Sequence, residues 1–344
     1  MEKAIFICAD VWLSVFDFLS PRKIGLGIAL ISHRFDRLID EHHFKTRKWS
    51  LGLVRIWHKI GENGTKEMQI YNSDGKLVPI PQVPPPKNVV GFKCIQIEYY
   101  DDKVIAFLFL FRHIFATFGT NLAIHFAFEM HSDVVFHRIW PIIKHNIYGL
   151  RLESICHFHN FRLVNPTILS DCPALRSVAS FGYSPEFPVD DRENASDGQA
   201  VAKWLFSPSL SAGGDGLPPK FFKCTFAPYE SEWSPQIEGL KATFSTASSP
   251  VNFIMAFSFP VGSNIQFGPI HLTNLWTGER LALKQLGQWR FLLIRCPIVR
   301  DEQKWAKWEK EATEWRFVCQ WNRIDIAVHP NELPDKYAVK LTDW

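Results

Sequence analysis

The sequence lacks the short motifs by which many catalytic and metal-binding sites are recognised. It contains no glycine-rich phosphate loop, no Gly-x-Ser-x-Gly elbow, no His-Glu-x-x-His helix and no Cys-x-x-Cys pair. Long apolar runs are absent too: Val104 to Phe111 is the most membrane-like stretch and ends at Arg112, whereas a bilayer crossing needs about 20 residues. These absences argue against a familiar enzyme, a zinc module and a membrane-spanning protein, and we predict no catalytic residue, metal ion or cofactor.

The sequence also has few charged residues and a small net charge. Charged residues make up 21% of the chain and the formal net charge is +3, which does not indicate the clustered Lys and Arg of a nucleic-acid-binding surface. The sequence is rich instead in aromatic residues, with 29 Phe and 13 Trp. Because each aromatic side chain buries about 150 to 250 Å², this content favours large cores and partner-binding surfaces. A chain of 344 residues exceeds the roughly 250 to 300 at which one core stops growing, so we expect several modules.

The seven cysteines show no paired spacing, which predicts buried, reduced thiols. Asp10 and Asp17 interrupt the mildly apolar N-terminus before a signal-peptide core could form. We therefore expect a soluble protein of the cytoplasm and/or the nucleus, with no membrane partner and no nucleic-acid partner.

Residues 10 to 40 read as three short helices. Apolar residues recur at spacings of three and four after Asp10, an N-cap residue type; Ser20-Pro21 favours a second helix, and Ser32 can cap a third over residues 33–40. Helices shorter than about 12 to 15 residues are marginal in water, so we expect part of their apolar surface to belong to a partner.

The stretch Asp10-Val-Trp-Leu-Ser-Val-Phe-Asp-Phe-Leu-Ser-Pro resembles the first helix of an F-box, and Leu30-Ile-Ser-His-Arg-Phe35 resembles the second half of that motif. Cys8-Ala9 stands where the family usually has Leu-Pro. The resemblance implies docking on the Skp-family adaptor of an SCF-type cullin-RING ubiquitin ligase, with the rest of the chain capturing a protein substrate. The adaptor-binding residues it implies are Val11, Trp12, Val15, Phe16, Leu19, Pro21, Ile24 and Leu30.

Behind the F-box segment, Lys48 to Ile80 reads as a small β-meander with turns at Gly61-Glu-Asn-Gly64 and Asn72-Ser-Asp-Gly75. The proline-rich segment Pro79 to Pro86 favours an extended conformation, typical of a spacer between modules. Pro81-Gln-Val-Pro84 also fits a minimal PxxP ligand, but it has no well-placed basic flank, so we interpret the segment as a boundary between modules.

Strand-like blocks then begin at Cys94, Leu122, Leu150 and Leu175, at intervals of 28, 28 and 25 residues. Helical stretches follow them over residues 104–118, 134–144, 166–169 and 199–206. One strand and one helix in every 20 to 29 residues is typical of a leucine-rich-repeat-like array, although the usual Asn ladder is missing. An unrelated α/β domain is the alternative. Either architecture offers a surface for binding, and we place the substrate site on the repeat edges and on the loops 183–191 and 207–219.

The C-terminal part reads as β-rich with one long amphipathic helix. Strand-like segments cover residues 221–226, 252–259, 270–275, 279–283, 290–294 and 321–328, and a helix covers Arg300 to Val318. Its apolar stripe is Trp305, Trp308, Ala312, Trp315 and Cys319, which could pack on the sheet or grip a partner. "NLWTGERLAL" and "WNRIDI" are similar to the substrate-side domain of expanded nematode F-box families.

The fold class expected is therefore α+β or α/β, in four parts. They are an F-box over 1–45, a β-meander with a Pro-rich linker over 46–86, leucine-rich-repeat-like strand-helix repeats over 87–210, and a β-rich substrate-side domain over 211–344. The predicted function is a non-enzymatic substrate receptor; the alternatives are an interaction scaffold without the adaptor and, more remotely, a metal-dependent enzyme. For the last, Cys156-His-Phe-His159 is the strongest cluster, but an extended segment would point Cys156 away from both histidines.

Overall fold

The structure is a computed structural model. It describes residues 7–16, 18–19, 24, 28, 31–39, 49–60, 66–71, 77–79, 83–84, 89–116, 122–126, 135–152, 155–182, 184–208, 218–226, 234–263, 267–314, 316, 320 and 322–327. The chain forms two compact units. Unit 1 comprises residues 1–122, 137–143 and 320–344, and unit 2 comprises residues 123–136 and 144–319.

The described helices and strands are as follows. The helices are α1 (Ala9–Phe16), α2 (His33–Leu38), α3 (Asp102–Leu110), α4 (Arg112–Ala116), α5 (Trp140–Ile143), α6 (Ile155–Val164), α7 (Asp197–Phe206), α8 (Ser234–Thr246) and α9 (Glu302–Glu314). The strands are β1 (Trp49–Ser50), β2 (Leu53–Ile60), β3 (Lys66–Tyr71), β4 (Leu77–Pro79), β5 (Val89–Gly91), β6 (Cys94–Ile97), β7 (Leu122–Phe126), β8 (Ile147–Leu152), β9 (Ser177–Phe181), β10 (Lys220–Thr225), β11 (Phe253–Ser258), β12 (His271–Asn274), β13 (Glu279–Gly287), β14 (Arg290–Pro297) and β15 (Arg323–Ile326). A π-helical turn, Val135–Ile139, precedes α5 and a 3₁₀ turn, Lys144–Asn146, follows it. In the described ranges, no helix has the length and apolar character that a membrane crossing requires.

Unit 1 is organised around strand β6. β2 and β15 flank β6 in parallel, and β3 and β4 continue from β2 as an antiparallel meander. The side chains of Ile95 and Ile97 are fully buried, as are those of Val54 and Ile56 on β2. The predicted meander is thus present, and its first strand is joined to the interior of the unit through β6.

In unit 2, strands β8, β9, β10 and β11 are parallel and lie side by side in chain order. β8 pairs with β9, β9 with β10, and β10 with β11. Helices α6, α7 and α8 lie between these strands in the sequence, because a parallel connection requires a long crossover. This alternation agrees with the sequence pattern, while the assignment to leucine-rich-repeat-like repeats stays a prediction.

An antiparallel region extends the sheet of unit 2 beyond β11. β14 pairs with β11, β13 with β14, and β12 with β13. Strand β11 is buried on both faces: Ile254 packs with Trp305 of α9 on one face, and Phe253 lies 5.3 Å from Phe206 of α7, measured between ring centroids. A strand with both faces covered has an uninterrupted apolar sequence, as residues 253–257 do. Both units are therefore mixed α/β.

The long amphipathic helix is confirmed as α9, with shorter bounds than predicted. Trp305 and Ala312 lie in the hydrophobic cluster on the sheet, and Trp308 packs against that cluster. The stripe therefore packs on the sheet at these three positions. Trp315 and Cys319 lie outside the described residues.

The prediction of a helix at residues 166–169 is wrong. The helix is α6, which ends at Val164, and turns follow it. Asn165 explains the end of the helix: its side-chain oxygen accepts a hydrogen bond from the backbone N–H of Thr167 at 3.1 Å. Such an Asx turn offers the backbone an alternative to continued helix.

Two further features of the C-terminal region differ from the prediction. Helix α8 was not predicted, although Ile237, Leu240 and Phe244 have helical spacing and are buried. The predicted strand at 321–328 is present as β15, but it pairs with β6, more than 220 residues earlier in the chain.

The prediction of buried cysteine thiols is confirmed for Cys94, Cys172, Cys224 and Cys296, whereas Cys8 is exposed. Only Ile24 and Ile28 of the second predicted N-terminal helix, and only Pro79, Val83 and Pro84 of the Pro-rich segment, are described, while residues 209–217 of the predicted loop lie outside the described residues. The predicted domain boundaries stay predictions.

Candidate protein-docking site

Helix α1 carries two neighbouring apolar stripes. Trp12 and Phe16 form one, and Phe16 is fully buried. Val11 and Val15, each one residue earlier, form the other, and their side chains are 51% and 41% exposed. Because successive residues of a helix are about 100° apart, one stripe faces the interior of unit 1 while the other faces solvent.

An aromatic cluster holds α1 against α2. Phe35 of α2 makes an edge-on contact with Trp12, with 4.9 Å between ring centroids, and another with Phe16 at 6.2 Å. Ser32 caps α2 as predicted, since its hydroxyl accepts a hydrogen bond from the N–H of Phe35 at 3.3 Å. Edge-to-face ring pairs of this kind contribute about 0.5 to 1.5 kcal/mol each beyond the area they bury.

A hydrogen bond fixes the chain just before α1. The guanidinium of Arg34 donates to the carbonyl oxygen of Ile7 at 2.7 Å. Helix α1 begins at Ala9, so Asp10 lies in its first turn and is not the N-cap that the sequence predicted. The residues before α1 are thereby attached to α2. This contact helps to fix the orientation of α1, and with it the exposed stripe, relative to α2.

The eight adaptor-binding residues implied by the sequence fall into four groups. Val11 and Val15 are exposed, and Trp12 and Leu19 are partly buried. Phe16 and Ile24 are buried, so in this conformation they belong to the interior of unit 1 and offer no surface to a partner. Pro21 and Leu30 lie outside the described residues.

Two exposed apolar residues were missing from the predicted set. Phe18 is 90% exposed and Ile31 is 67% exposed. Phe18 lies seven residues after Val11 in the sequence, a helical spacing that could have identified it, and in the structure it follows the end of α1 with its N–H bonded to the carbonyl of Val15 at 3.2 Å. We use the name N-terminal apolar face for Val11, Val15 and Phe18.

The Cys156–His159 cluster lies on a helix rather than on an extended segment, contrary to the geometry expected. The His159 ring nitrogen Nδ1 lies 3.6 Å from a carboxylate oxygen of Asp197. The side chains of Cys156 and His157 are not among those described. Within the described part of the chain, no group of three or more His, Cys, Asp or Glu side chains is arranged to hold a metal ion.

The segment that directly follows the first predicted substrate loop, 183–191, is tied to helix α6. Arg162, which is 6% exposed, donates to the carbonyl oxygens of Arg192 and Ala195 and to the carboxylate of Asp197. At the end of the loop, the guanidinium of Arg192 donates hydrogen bonds to the carboxylate of Asp190 and lowers the pKa of that carboxyl group to about 2. The segment after Tyr183 is therefore held in a defined position; Tyr183 lies outside the described residues.

Comparison of the chain with family models, with curated proteins and with solved structures finds no match. The resemblance to an F-box accordingly depends on the residues of the N-terminal segment themselves.

Proposed function

We propose that this protein is a substrate-recognition subunit of an SCF-type cullin-RING ubiquitin ligase, and that the N-terminal apolar face docks on a Skp-family adaptor. The observation that carries the proposal is the exposure of Val11 and Val15 on helix α1, whose neighbouring stripe contains the buried Phe16, together with the exposed Phe18 just after the helix. Adjacent large apolar side chains that remain exposed next to a filled interior are typical of a protein-docking surface.

Two features of the chain support this function. The F-box-like pattern over residues 10–35 coincides with the exposed stripe, so the resemblance and the surface point to the same residues. The larger unit 2, with its parallel strands, offers a separate scaffold for a substrate. In such a complex the chemistry belongs to other subunits, and this chain contributes proximity and orientation.

The segment before α1 bears on the departure from the family pattern. Cys8-Ala9 stands in place of Leu-Pro, which removes the conformational restraint of proline at the helix start. The hydrogen bond from Arg34 to the carbonyl of Ile7 supplies another restraint at this position. The docking helix can thus keep a fixed entry direction without the proline.

The test is adaptor binding by the full chain and by two matched double variants. Val11→Asp with Val15→Asp changes the N-terminal apolar face, and Val261→Asp with Val299→Asp changes two valines of unit 2 that are 82% and 91% exposed. Fully burying a valine contributes roughly 1.5 to 3 kcal/mol, and because these two are about half exposed, docking can add about half of that for each, so the first variant should weaken binding at least about 10-fold. The second should bind like the parent chain. Affinities would be measured by titration calorimetry with a purified Skp-family adaptor.

Either of two results would contradict the proposal: no adaptor binding by the parent chain, or equal binding by both double variants. If the parent chain does not bind the adaptor and does not retain cullin in a pull-down, the interaction scaffold is favoured instead. Circular dichroism of both variants checks that the interior of unit 1, which neither variant changes, is intact.

A further inference from the structure

Strand β12 lies at an edge of the sheet in unit 2, and in the described part of the chain its one partner strand is β13. The N–H of Leu283 on β13 donates to the carbonyl of Ile270 at 3.1 Å. Because bonded and non-bonded pairs alternate along an antiparallel ladder, Leu272 bonds to β13 as well. The peptide groups of His271 and Thr273 alternate with these bonded positions and therefore point away from β13.

The outward-facing peptide groups of β12 have no hydrogen-bond partner among the described residues. His271 and Thr273 are also exposed. Exposed edges of this kind can pair with another extended chain, and proteins commonly prevent this with Lys or Pro on the edge strand. The four residues of β12, His-Leu-Thr-Asn, include neither. The edge can therefore accept an additional strand.

An exposed apolar patch begins where β12 ends. Leu275 and Trp276, on the turn from β12 to β13, are 84% and 91% exposed. The N–H of Ile298 donates to the carbonyl of Gly278 at 2.9 Å, so Ile298, which is 40% exposed, lies beside the turn. We use the name hairpin apolar patch for Leu275, Trp276 and Ile298. Trp is enriched among the residues that dominate the energy of protein interfaces, so Trp276 is the natural anchor of this patch.

Asn274 holds this turn in a fixed position. It is 3% exposed, and its side chain donates to the carbonyls of Phe244 and Ala247 at the end of α8, at 2.8 and 2.9 Å. Its side-chain oxygen accepts from the N–H groups of Trp276 and Thr277 at 2.9 and 3.2 Å. A partner that contacts Trp276 therefore does not have to order a mobile turn, which reduces the entropic cost of binding.

The size of this edge favours a short segment of a partner protein over a second copy of the chain. A strand of four residues is about 13 Å long. Stable interfaces between folded proteins bury about 1,200 to 2,000 Å², far more than a four-residue edge and three apolar side chains offer. A linear segment needs only backbone pairing and a few side-chain contacts.

We propose that β12 binds an extended segment of a protein by strand addition, with apolar side chains of that segment contacting the hairpin apolar patch. Main-chain hydrogen bonds to His271 and Thr273 hold the segment, and contact with Trp276 selects apolar side chains at alternate positions. The inference rests on the proposed substrate-receptor function and names the class of segment that the receptor captures.

The experiment measures binding of a fluorescein-labelled peptide by the full chain, using fluorescence anisotropy. The probe has four Val-Thr repeats with a lysine at each end, because β-branched residues favour an extended strand. Its counterpart carries N-methyl groups on the peptide nitrogens, which removes the hydrogen-bond donors. The test variant is Trp276→Ala. The matched control is Val261→Ala, which shortens an apolar side chain that is 82% exposed on another turn of unit 2.

We expect the peptide to bind the parent chain and the control equally and Trp276→Ala at least about 10-fold more weakly, and we expect the N-methylated peptide not to bind. Bound peptide should slow amide hydrogen exchange at His271 and Thr273 but not at Leu272, because the N–H of Leu272 is already bonded to β13. Mass spectrometry with electron-transfer fragmentation resolves these single residues. This alternation is specific to strand pairing.

Four results would overturn the inference: no binding by the parent chain, equal binding by Trp276→Ala and the control, equal binding of the N-methylated peptide, and unchanged exchange at His271 and Thr273. A parent chain that sediments as a dimer, and as a monomer after Trp276→Ala, would also overturn it, because the edge would then belong to a second copy.

Adaptor binding of the same preparations separates this inference from the proposed function. A parent chain that binds the adaptor but not the peptide refutes strand addition alone. A parent chain that binds the peptide but not the adaptor refutes the ubiquitin-ligase function and leaves the strand-addition site standing.

Discussion

Removing one partner of the buried ion pair between Arg295 and Glu279 should destabilise unit 2 strongly. Arg295 is fully buried and Glu279 is 1% exposed. Two nitrogens of the guanidinium donate to the same carboxylate oxygen at 2.6 and 3.0 Å, and the other carboxylate oxygen accepts from the N–H of Val251 at 2.8 Å. Arg295 also donates to the carbonyl of Ser249 at 3.1 Å. The pair thus joins β13, β14 and the segment before β11.

The expected magnitude follows from what Glu279→Ala leaves behind. The guanidinium of Arg295 would remain in the interior without its carboxylate, and the N–H of Val251 would lose its acceptor. Breaking a buried pair by removing one partner costs about 3 to 5 kcal/mol, a large share of the roughly 5 to 15 kcal/mol that stabilises a typical domain. The matched control is Glu238→Ala, which removes a carboxylate from the exposed pair with Lys241 and should cost less than about 1 kcal/mol.

Urea unfolding of the full chain, followed by far-ultraviolet circular dichroism, measures the difference. With a denaturant slope of about 3 kcal/mol per molar, Glu279→Ala should lower the midpoint by about 1 to 1.7 M and Glu238→Ala by less than about 0.3 M. Combining Glu279→Leu with Arg295→Met removes both charges and should cost less than Glu279→Ala alone, because apolar residues can replace a buried pair. Equal midpoints for the two single alanine variants would refute the reasoning, as would a double variant that is less stable than Glu279→Ala.

Two further predictions concern unit 2. Burial lowers the pKa of Lys220, which donates to the carbonyls of Trp204 and Ser207, to about 7. Between pH 7 and about 10.4 this lysine binds a proton in the unfolded chain but not in the folded one, so the free energy of unfolding should rise with pH by up to about 1.4 kcal/mol per pH unit. Lys220→Met removes the titrating group and should flatten the plot of urea midpoint against pH. A slope of this plot equal to that of the parent chain would contradict the prediction. Asn274→Ala should lower the free energy of unfolding by about 2 to 3 kcal/mol and speed amide hydrogen exchange at the end of α8, because the Asn274 side chain donates to two backbone carbonyls there. Asn252→Ala is the control, and exchange that is equally slow in both variants would contradict the prediction.

The strands of unit 2 were predictable because local turn chemistry marks their ends. Asn274 begins the turn between β12 and β13, and its side-chain oxygen accepts from the N–H groups of Trp276 and Thr277. Gly278 completes the turn with a φ of 68°, which favours glycine. Signals of this kind lie within a few residues of each other, so alternation and turn residues suffice to locate β12, β13 and β14.

Two features depend on distant packing and could not be predicted in the same way. β15 pairs with β6, and no local pattern specifies a partner so far away in the sequence. Helix α8 contains Gly239, which lowers helix propensity by about 1 kcal/mol and hides the signal of its apolar spacing. The glycine has a packing reason: a Cβ at this position would lie 2.7 Å from the Cβ of Phe187, so only glycine allows the approach.

The N-terminal helices show that a pattern of apolar residues alone does not identify which residues form a binding site. Helical spacing identifies both Phe16 and Val15 as apolar positions, but it does not determine which of the two faces the interior. Contacts of Trp12 and Phe16 with the ring of Phe35 decide this, since they rotate one stripe inward and leave the other exposed. Because Phe16 is buried while Val11 and Val15 are about half exposed, substitutions of the two valines should affect docking more than folding. Phe16→Ala would instead leave a cavity in unit 1, costing about 3 to 5 kcal/mol, and its effect on a partner would be indirect.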